Sequence, residues 1–239
     1  MKFKKLGLTL SGGGGKGAYQ IGVWQAMRDL GLDSQLSAIS GTSVGGLNGA
    51  MFAQDKLDQA KSMWLNIESR NMLSVQEVPG LASRLALLTA SGMISPMLCH
   101  FISTKGFFKQ DGLKSMIAEG VDAGRLASSA LPLTVALHNT AANRVDYLSV
   151  RDTHTAADMM LGTAALPLIF DEVAIGDSIY TDGGFYWGLP HKHVDNTPIR
   201  PLIEAGCDTI VVVYLSPDDL SIDPRHYPGV RFLPIVPAN

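Results

Sequence analysis

The feature that most constrains this chain is a serine set between two glycines, Gly41-Thr42-Ser43-Val44-Gly45, where a short apolar run ends and a helical run begins. A serine on a sharp strand-to-helix turn sits in strained backbone, so the residues two positions away on each side must be small for the chain to pass itself. Its hydroxyl is then held out in front of a sheet. The helix that follows points its N-terminus at the serine, and the free N–H groups there favour developing negative charge. The stretch from Ile39 to Gly49 therefore calls for a strand, an elbow and a helix, with Ser43 as candidate nucleophile. The plainer reading of the same residues is a turn in which Thr or Ser caps a helix.

The chain opens in the same order. Leu6 to Leu10 is a short apolar run stopped by Ser11 and four glycines, and from Ala18 to Leu30 the apolar positions (Ile21, Val23, Trp24, Met27, Leu30) are spaced as on a helix. Gly12, Gly14 and Gly17 match the dinucleotide pattern G-x-G-x-x-G, which needs an acidic residue near the end of the second strand to hold a ribose. No such residue is there, because Leu36 to Ser40 runs straight into the Ser43 turn. A P-loop fails too, since no Gly-Lys-Ser/Thr closes the glycine run. Consecutive glycines before a helix can instead aim several backbone N–H groups into one concavity, and such donors are what the oxyanion of an acyl transfer requires. A nucleotide-binding protein using Gly12 to Gly17, or an inactive scaffold, stays open as the alternative.

Composition narrows the classes. The chain has 239 residues, 17% charged and 46% apolar, with no Pro/Ser-rich or charge-rich linker, which points to one domain over 1–239. Its longest apolar runs, such as Ile210 to Leu215, are far below the roughly 18 to 20 residues that a membrane span needs. Lys2, Lys4 and Lys5 resemble the start of a signal peptide, but Leu6 to Leu10 is too short for its apolar part, so an unexported protein, cytoplasmic with membrane association left open, or a non-classically exported one is expected. Cys99 and Cys207 lie far apart with no metal spacing, and a net charge of −3 leaves no electrostatic footprint for nucleic acid. Helical patterns over 44–53, 57–67, 111–119 and 156–165 alternate with strand patterns over 131–138 and 145–150. The expected fold is therefore α/β, a mostly parallel sheet with helices on both faces.

Two motifs in this order, about 25 residues apart, resemble the patatin-like phospholipases, whose first strand ends in Gly-Gly-Gly-x-Lys/Arg-Gly and whose second ends in Gly-x-Ser-x-Gly. Here these are Gly12-Gly13-Gly14-Gly15-Lys16-Gly17 and Gly41 to Gly45. The family's downstream Asp-Gly-Gly is matched by Asp182-Gly183-Gly184. Its small-residue helix ending in Pro is matched by Gly162 to Pro167, with Thr163 where Ser is usual. An Asn-Thr-Pro turn, a helix and a strand follow at Asn196 to Pro198, Ile199 to Ala205 and Asp208 to Leu215, so the resemblance covers residues 5 to about 216.

The resemblance implies a patatin-like three-layer α/β/α sandwich and a Ser-Asp dyad, Ser43 with Asp182, acting on lipid esters with phospholipase or lysophospholipase activity. It also implies an oxyanion hole from the N–H groups of Gly13, Gly14 and Gly15, with Lys16 fixing the loop or meeting a phosphate; no cofactor is expected, and no metal, since the Asp/Glu spacing offers no oxygen-ligand loop such as D-x-[DN]-x-[DN]-G. A Ser-His-Asp triad would need a histidine after the acid, for which His226 is best placed among six; His191 and His193 form an alternating pair. Residues 72–108, apolar and broken at Pro79-Gly80, Gly92 and Ser95-Pro96, suit either core helices or a mobile cap that lines an acyl pocket and touches a membrane surface. The proline-rich stretch 217–239 is expected to be irregular.

Overall fold

A computed structural model describes residues 4–66, 72–73, 107–108, 110–151, 154–167, 170–185, 194–217 and 220–238. Ten strands belong to the described part. β1 (Leu6–Leu10) and β2 (Leu36–Thr42) flank α1 (Ala18–Asp29), and α2 (Val44–Ala53) and α3 (Leu57–Leu65) follow. The short strands β3 (Met72–Leu73) and β4 (Phe107–Phe108) come next, then α4 (Gln110–Gly120), α5 (Ala123–Ser128), β5 (Leu133–Asn139), β6 (Arg144–Ser149) and α6 (Ala156–Thr163). β7 (Val173–Ile175), β8 (Ser178–Asp182), α7 (Arg200–Glu204), β9 (Thr209–Val213) and β10 (Arg231–Ile235) complete the order.

Eight strands make one sheet, traced as β10-β9-β1-β2-β5-β8-β7 with β6 also on β5. The pairings from β10 through β9, β1 and β2 to β5 are parallel, and those of β5 with β6, β5 with β8 and β7 with β8 are antiparallel. The parallel part is covered on both faces, which is why its strands read as near-continuous apolar runs. Along β9, Val211 and Val213 join the larger core beneath α1, α2, α4 and α6, while Ile210 and Val212 join a smaller one with Ile199 and Leu202. β1 sends Leu6, Leu8 and Leu10 to the larger core. The three-layer sandwich expected from sequence is present, with a thick helical layer on one face and a thin one on the other.

The central helix is α2. Every one of its residues is buried, so an amphipathic pattern would be wrong for it, and its glycines let the sheet approach. A Cβ on Gly49 would lie 2.9 Å from Leu133 Cδ1, and one on Gly46 would lie 3.1 Å from Val135 Cγ1, both on β5. Trp24 of α1 stacks on Phe52 of α2 at 4.3 Å between ring centroids, a contact worth about 0.5–1.5 kcal/mol beyond its buried area.

Two expectations meet the structure unevenly. Residues 217–239 do not form an irregular tail throughout: Arg231–Ile235 is β10, an edge strand parallel to β9 in register from Arg231↔Thr209 to Ile235↔Val213. Proline hid it, because Pro234 is tolerated on an edge strand, where not every N–H is needed for pairing. Most of 72–108 lies outside the described residues; its ends form an antiparallel ribbon, Met72↔Phe108 and Leu73↔Phe107, whose β4 strand lies beside the glycine turn. Among the described residues, no helix is long and apolar enough to cross a membrane.

Candidate active site

The site forms where β5 changes neighbours. β6 pairs with β5 from Thr134 to Asn139 and so occupies one whole edge. On the other edge β2 runs parallel to β5 as far as Thr42↔Ala136, and β8 arrives antiparallel, ending at Asp182↔Leu137. Two strands therefore meet head-on, C-terminus to C-terminus, at adjacent residues of β5. Ser43 leaves the end of one and Gly183 the end of the other, and Asp182 closes β8.

Ser43 sits at φ 55°, ψ −128°, a conformation that costs a non-glycine residue roughly 1–3 kcal/mol and is held by what surrounds it. Gly41 and Gly45 are required by backbone contact, since a Cβ on Gly41 would fall 2.4 Å from the Gly45 carbonyl oxygen and one on Gly45 would fall 2.1 Å from that of Leu10. On the far side of the elbow, the Ser43 amide donates to Thr163 Oγ1 at 3.0 Å, and the same hydroxyl donates to the Ala136 carbonyl at 2.7 Å. Fully buried Thr163 thus ties the elbow to β5 at the junction of the two strands. Its trace in the sequence is its place in the Gly162 to Pro167 run.

The glycine turn straddles the elbow. Gly12 lies so close to Ser43 that a Cβ there would come within 3.2 Å of the serine Cβ, and Gly17 packs on Val44 and Trp64. Between them Gly14–Gly17 forms a single 3-10 turn, with Gly14 at φ 55° and Gly13 pressed against Leu215. The first amides of such a turn have no acceptor within it, and Gly13, Gly14 and Gly15 are half-buried at its rim. Lys16 is exposed. Beneath the turn a buried polar chain holds it down. Gln20 Nε2 donates to the Ser11 carbonyl at 2.7 Å, Asn48 Nδ2 donates to Gln20 Oε1 and to the Gly17 carbonyl, and Trp64 Nε1 donates to Asn48 Oδ1.

Asp182 is 2% exposed. Burial pushes its pKa up from 3.8 to about 7, while the Ser43 hydroxyl beside it and the Gly184 amide pull it down. The amide contact is a 2.8 Å hydrogen bond to Oδ1; Oδ2 makes no bond of normal geometry, so the approach of the Ser43 hydroxyl is looser than a full hydrogen bond. Gly183 and Gly184 are needed here as well, because Cβ atoms would meet the Ala136 carbonyl at 2.4 Å and Asn196 Oδ1 at 2.4 Å. His226 is exposed on a 3-10 turn (Pro224–His226), and among the described residues no imidazole contributes to the Asp182 pKa. His191 and His193 lie outside the described residues. Nor do the described residues hold a group of three or more His, Cys, Asp or Glu side chains that could bind a metal ion.

The site of this α/β fold thus combines a serine on a strained elbow, a buried carboxyl beside it and a glycine turn next to both. The patatin-like phospholipase family model matches residues 8–203, most of the chain, and the chain belongs to that family. Lysophospholipase NTE1 of Cryptococcus neoformans is 26% identical over 229 residues, 94% of this chain and 12% of that protein. Lysophospholipase nte1 of Aspergillus terreus is 42% identical over 52 residues, 22% of this chain and 3% of that protein. The chain thus spans only a small part of the length of these curated relatives. Among solved structures, VipD from Legionella pneumophila is similar at 18% identity and a TM-score of 0.41, over 95% of this chain and 52% of that one. ExoU from Pseudomonas aeruginosa, solved with SpcU, reaches 16% identity and 0.34, over 66% and 38%.

Proposed function

We propose that this chain is a serine acyl hydrolase for lipid esters, of phospholipase or lysophospholipase A type, working through a Ser43–Asp182 dyad. The observation that carries this reading is the placement of the Ser43 hydroxyl against a carboxyl whose pKa burial raises to about 7. An aspartate at its ordinary value is a weak base, whereas one near the working pH combines a usable ionised fraction with real proton affinity.

In this mechanism ionised Asp182 takes the proton from Ser43 Oγ as that oxygen bonds to the acyl carbon. The carbonyl π electrons move onto oxygen, and the glycine-turn amides, with the N-terminus of α2, stabilise that oxyanion. The leaving alkoxide departs with the proton held by Asp182, which leaves an acyl-serine. Water then gives a proton to Asp182 and attacks the acyl carbon, and collapse of the second tetrahedral intermediate returns the proton to Ser43 and frees the fatty acid. One oxyanion donor is typically worth about 3 kcal/mol of barrier lowering. The names of the Cryptococcus and Aspergillus relatives support a lysophospholipid as the first substrate to try. The ribbon that joins the ends of 72–108 lies beside the glycine turn, which supports a role for that segment in bordering the acyl pocket at a lipid surface.

A fluorophosphonate probe tests the reading directly. Ser43 should be labelled in the folded protein and Ser43→Ala should not, and an unlabelled, folded wild type would sink the hydrolase. A panel of lysophospholipids and phospholipids then reports head group and acyl position.

A further inference from the structure

The mechanism leaves a second carboxyl beside the site unused. Asp195 is half-buried, and each of its polar groups is engaged: Oδ2 accepts from the Tyr147 hydroxyl at 2.7 Å, Oδ1 from the Thr197 amide at 3.1 Å, its amide donates to the Gly183 carbonyl at 2.8 Å, and its carbonyl accepts from Thr42 Oγ1 at 2.8 Å. The following residues continue the pattern. The Gly12 amide donates to the Asn196 carbonyl at 3.1 Å and Asn196 Nδ2 donates back to the Gly12 carbonyl at 3.3 Å; Thr197 Oγ1 bonds Ser11 Oγ at 2.9 Å; the Pro198 carbonyl accepts from Ser40 Oγ at 2.5 Å. Four consecutive residues thus bond to the ends of β1, β2 and β8, the three strands that deliver the glycine turn, the serine and the acid.

Sheet register explains how Asp195 is gripped. Tyr147 and Thr42 both pair with Ala136, one from each side of β5, so they share a row and a face of the sheet with only a methyl group between them. Ser40, two positions before Thr42, faces the same way. Without this clasp β8 is tied to the sheet through β5 and β7, and its loop has no sheet hydrogen bond to β1.

We propose that Tyr147 and Asp195 are positioning residues, which lock the 195–198 turn and through it set the spacing between the glycine turn at Gly12 and the Asp182–Gly184 loop. A carboxylate suits position 195 because it accepts two hydrogen bonds at once, from an amide in its own turn and from a phenol on another strand. Burial raises the pKa of both groups, and the Asp195 charge raises that of Tyr147 further, so the phenol stays a donor. The other charges that bear on Tyr147 are Arg200 and Glu204, which pair with each other at 2.8 Å. The inference rests on the dyad reading given above.

The test is Tyr147→Phe, assayed on a soluble ester well below the melting temperature. The expected result is a kcat lowered about tenfold or more with KM nearly unchanged, the usual mark of reacting groups out of place. The acid limb of kcat/KM should also move to higher pH, because the Ser43 hydroxyl and the Gly184 amide that pull the Asp182 pKa down lose their register. Asp195→Asn, which keeps an acceptor for Thr197, should retain more activity than Asp195→Ala. A lower melting temperature with an unmoved acid limb and kcat restored on cooling would make the pair merely structural and overturn the proposal. If the wild type neither turns over ester nor takes the probe, the hydrolase reading fails. The proposal is then decided by the Asp182 pKa, read from pH-dependent stability with and without Asp182→Asn in the Tyr147→Phe background, where no upward shift refutes it.

Discussion

Asp182→Asn should stabilise the protein, and increasingly so as pH rises. A buried carboxyl with a folded value of about 7 and an ordinary value of 3.8 binds its proton more tightly when folded than when unfolded. Between those values the unfolded chain carries fewer protons, so unfolding free energy falls as pH rises; the penalty is absent below about pH 4 and complete above about pH 7. The difference between the two values corresponds to roughly 4 kcal/mol at full ionisation. Asn keeps the shape and the acceptor for the Gly184 amide but cannot ionise. Its own burial cost is constant with pH, so the quantity to follow is the mutant minus wild-type difference, by urea denaturation from pH 3.5 to 8.5. That difference should grow by about 4 kcal/mol across the range, on the order of 10 °C in melting temperature for a domain of this size. Ester turnover should be lost in the variant, and in the wild type kcat/KM should rise with pH through an inflection near 7. A difference that stays flat with pH would show that Asp182 is not desolvated, and the account of its basicity would fall with it.

Two further substitutions probe the scaffold. Thr163→Val keeps the shape but strands the Ser43 amide and the Ala136 carbonyl, which should cost about 1–3 kcal/mol and slow probe labelling, whereas Thr163→Ser should be close to wild type in both. Gly45→Ala drives a methyl group into the Leu10 carbonyl and should cost more than about 3 kcal/mol or prevent folding; Gly22→Ala, on the exposed face of α1 with nothing within 4 Å, should gain about 0.5–1 kcal/mol. Thermal denaturation of the pair separates a glycine held by packing from one that is not.

The parallel half of the fold was legible because its signals are local. Leu6 to Leu10 and Leu36 to Ser40 are short runs stopped by glycine; α1 after the first carries a period of 3.6, and α2 after the second, buried all round, is marked instead by the Gly-x-Ser-x-Gly turn that opens it. The hairpin that delivers Asp182 was not read. Its cue was there, Gly176-Asp177 between Val-Ala-Ile and Ser-Ile-Tyr, with Gly176 at φ 59°, but three-residue β7 is too short to show alternation. β10 was hidden by Pro234 and the prolines on either side of it. The small residues around the elbow are legible because Gly41 must clear the Gly45 carbonyl only four positions on, whereas Gly45 and Gly183 clear the carbonyls of Leu10 and Ala136, distant in sequence and without local trace. Thr163 and Tyr147 act through residues 120 and 48 positions away, and spacing rules do not reach that far.

The meeting of β2 and β8 on one edge of β5 is what brings Ser43 and Asp182, the side chains of the proposed dyad, toward each other from opposite directions. In a wholly parallel sheet every strand leaves by the same end, so an acid on a neighbouring strand starts about 4.8 Å or more to the side of the serine. Here the acid arrives from the opposite direction on the strand track that β2 has just vacated, paired to the residue next in line along β5. The approach of hydroxyl to carboxyl is the consequence, and so is the crowding that excludes a Cβ from Gly183, where the Ala136 carbonyl of β5 would lie 2.4 Å away. The same convergence buries the carboxyl away from water and raises its pKa, so one topological choice supplies both the proximity and the basicity that the proposed chemistry needs.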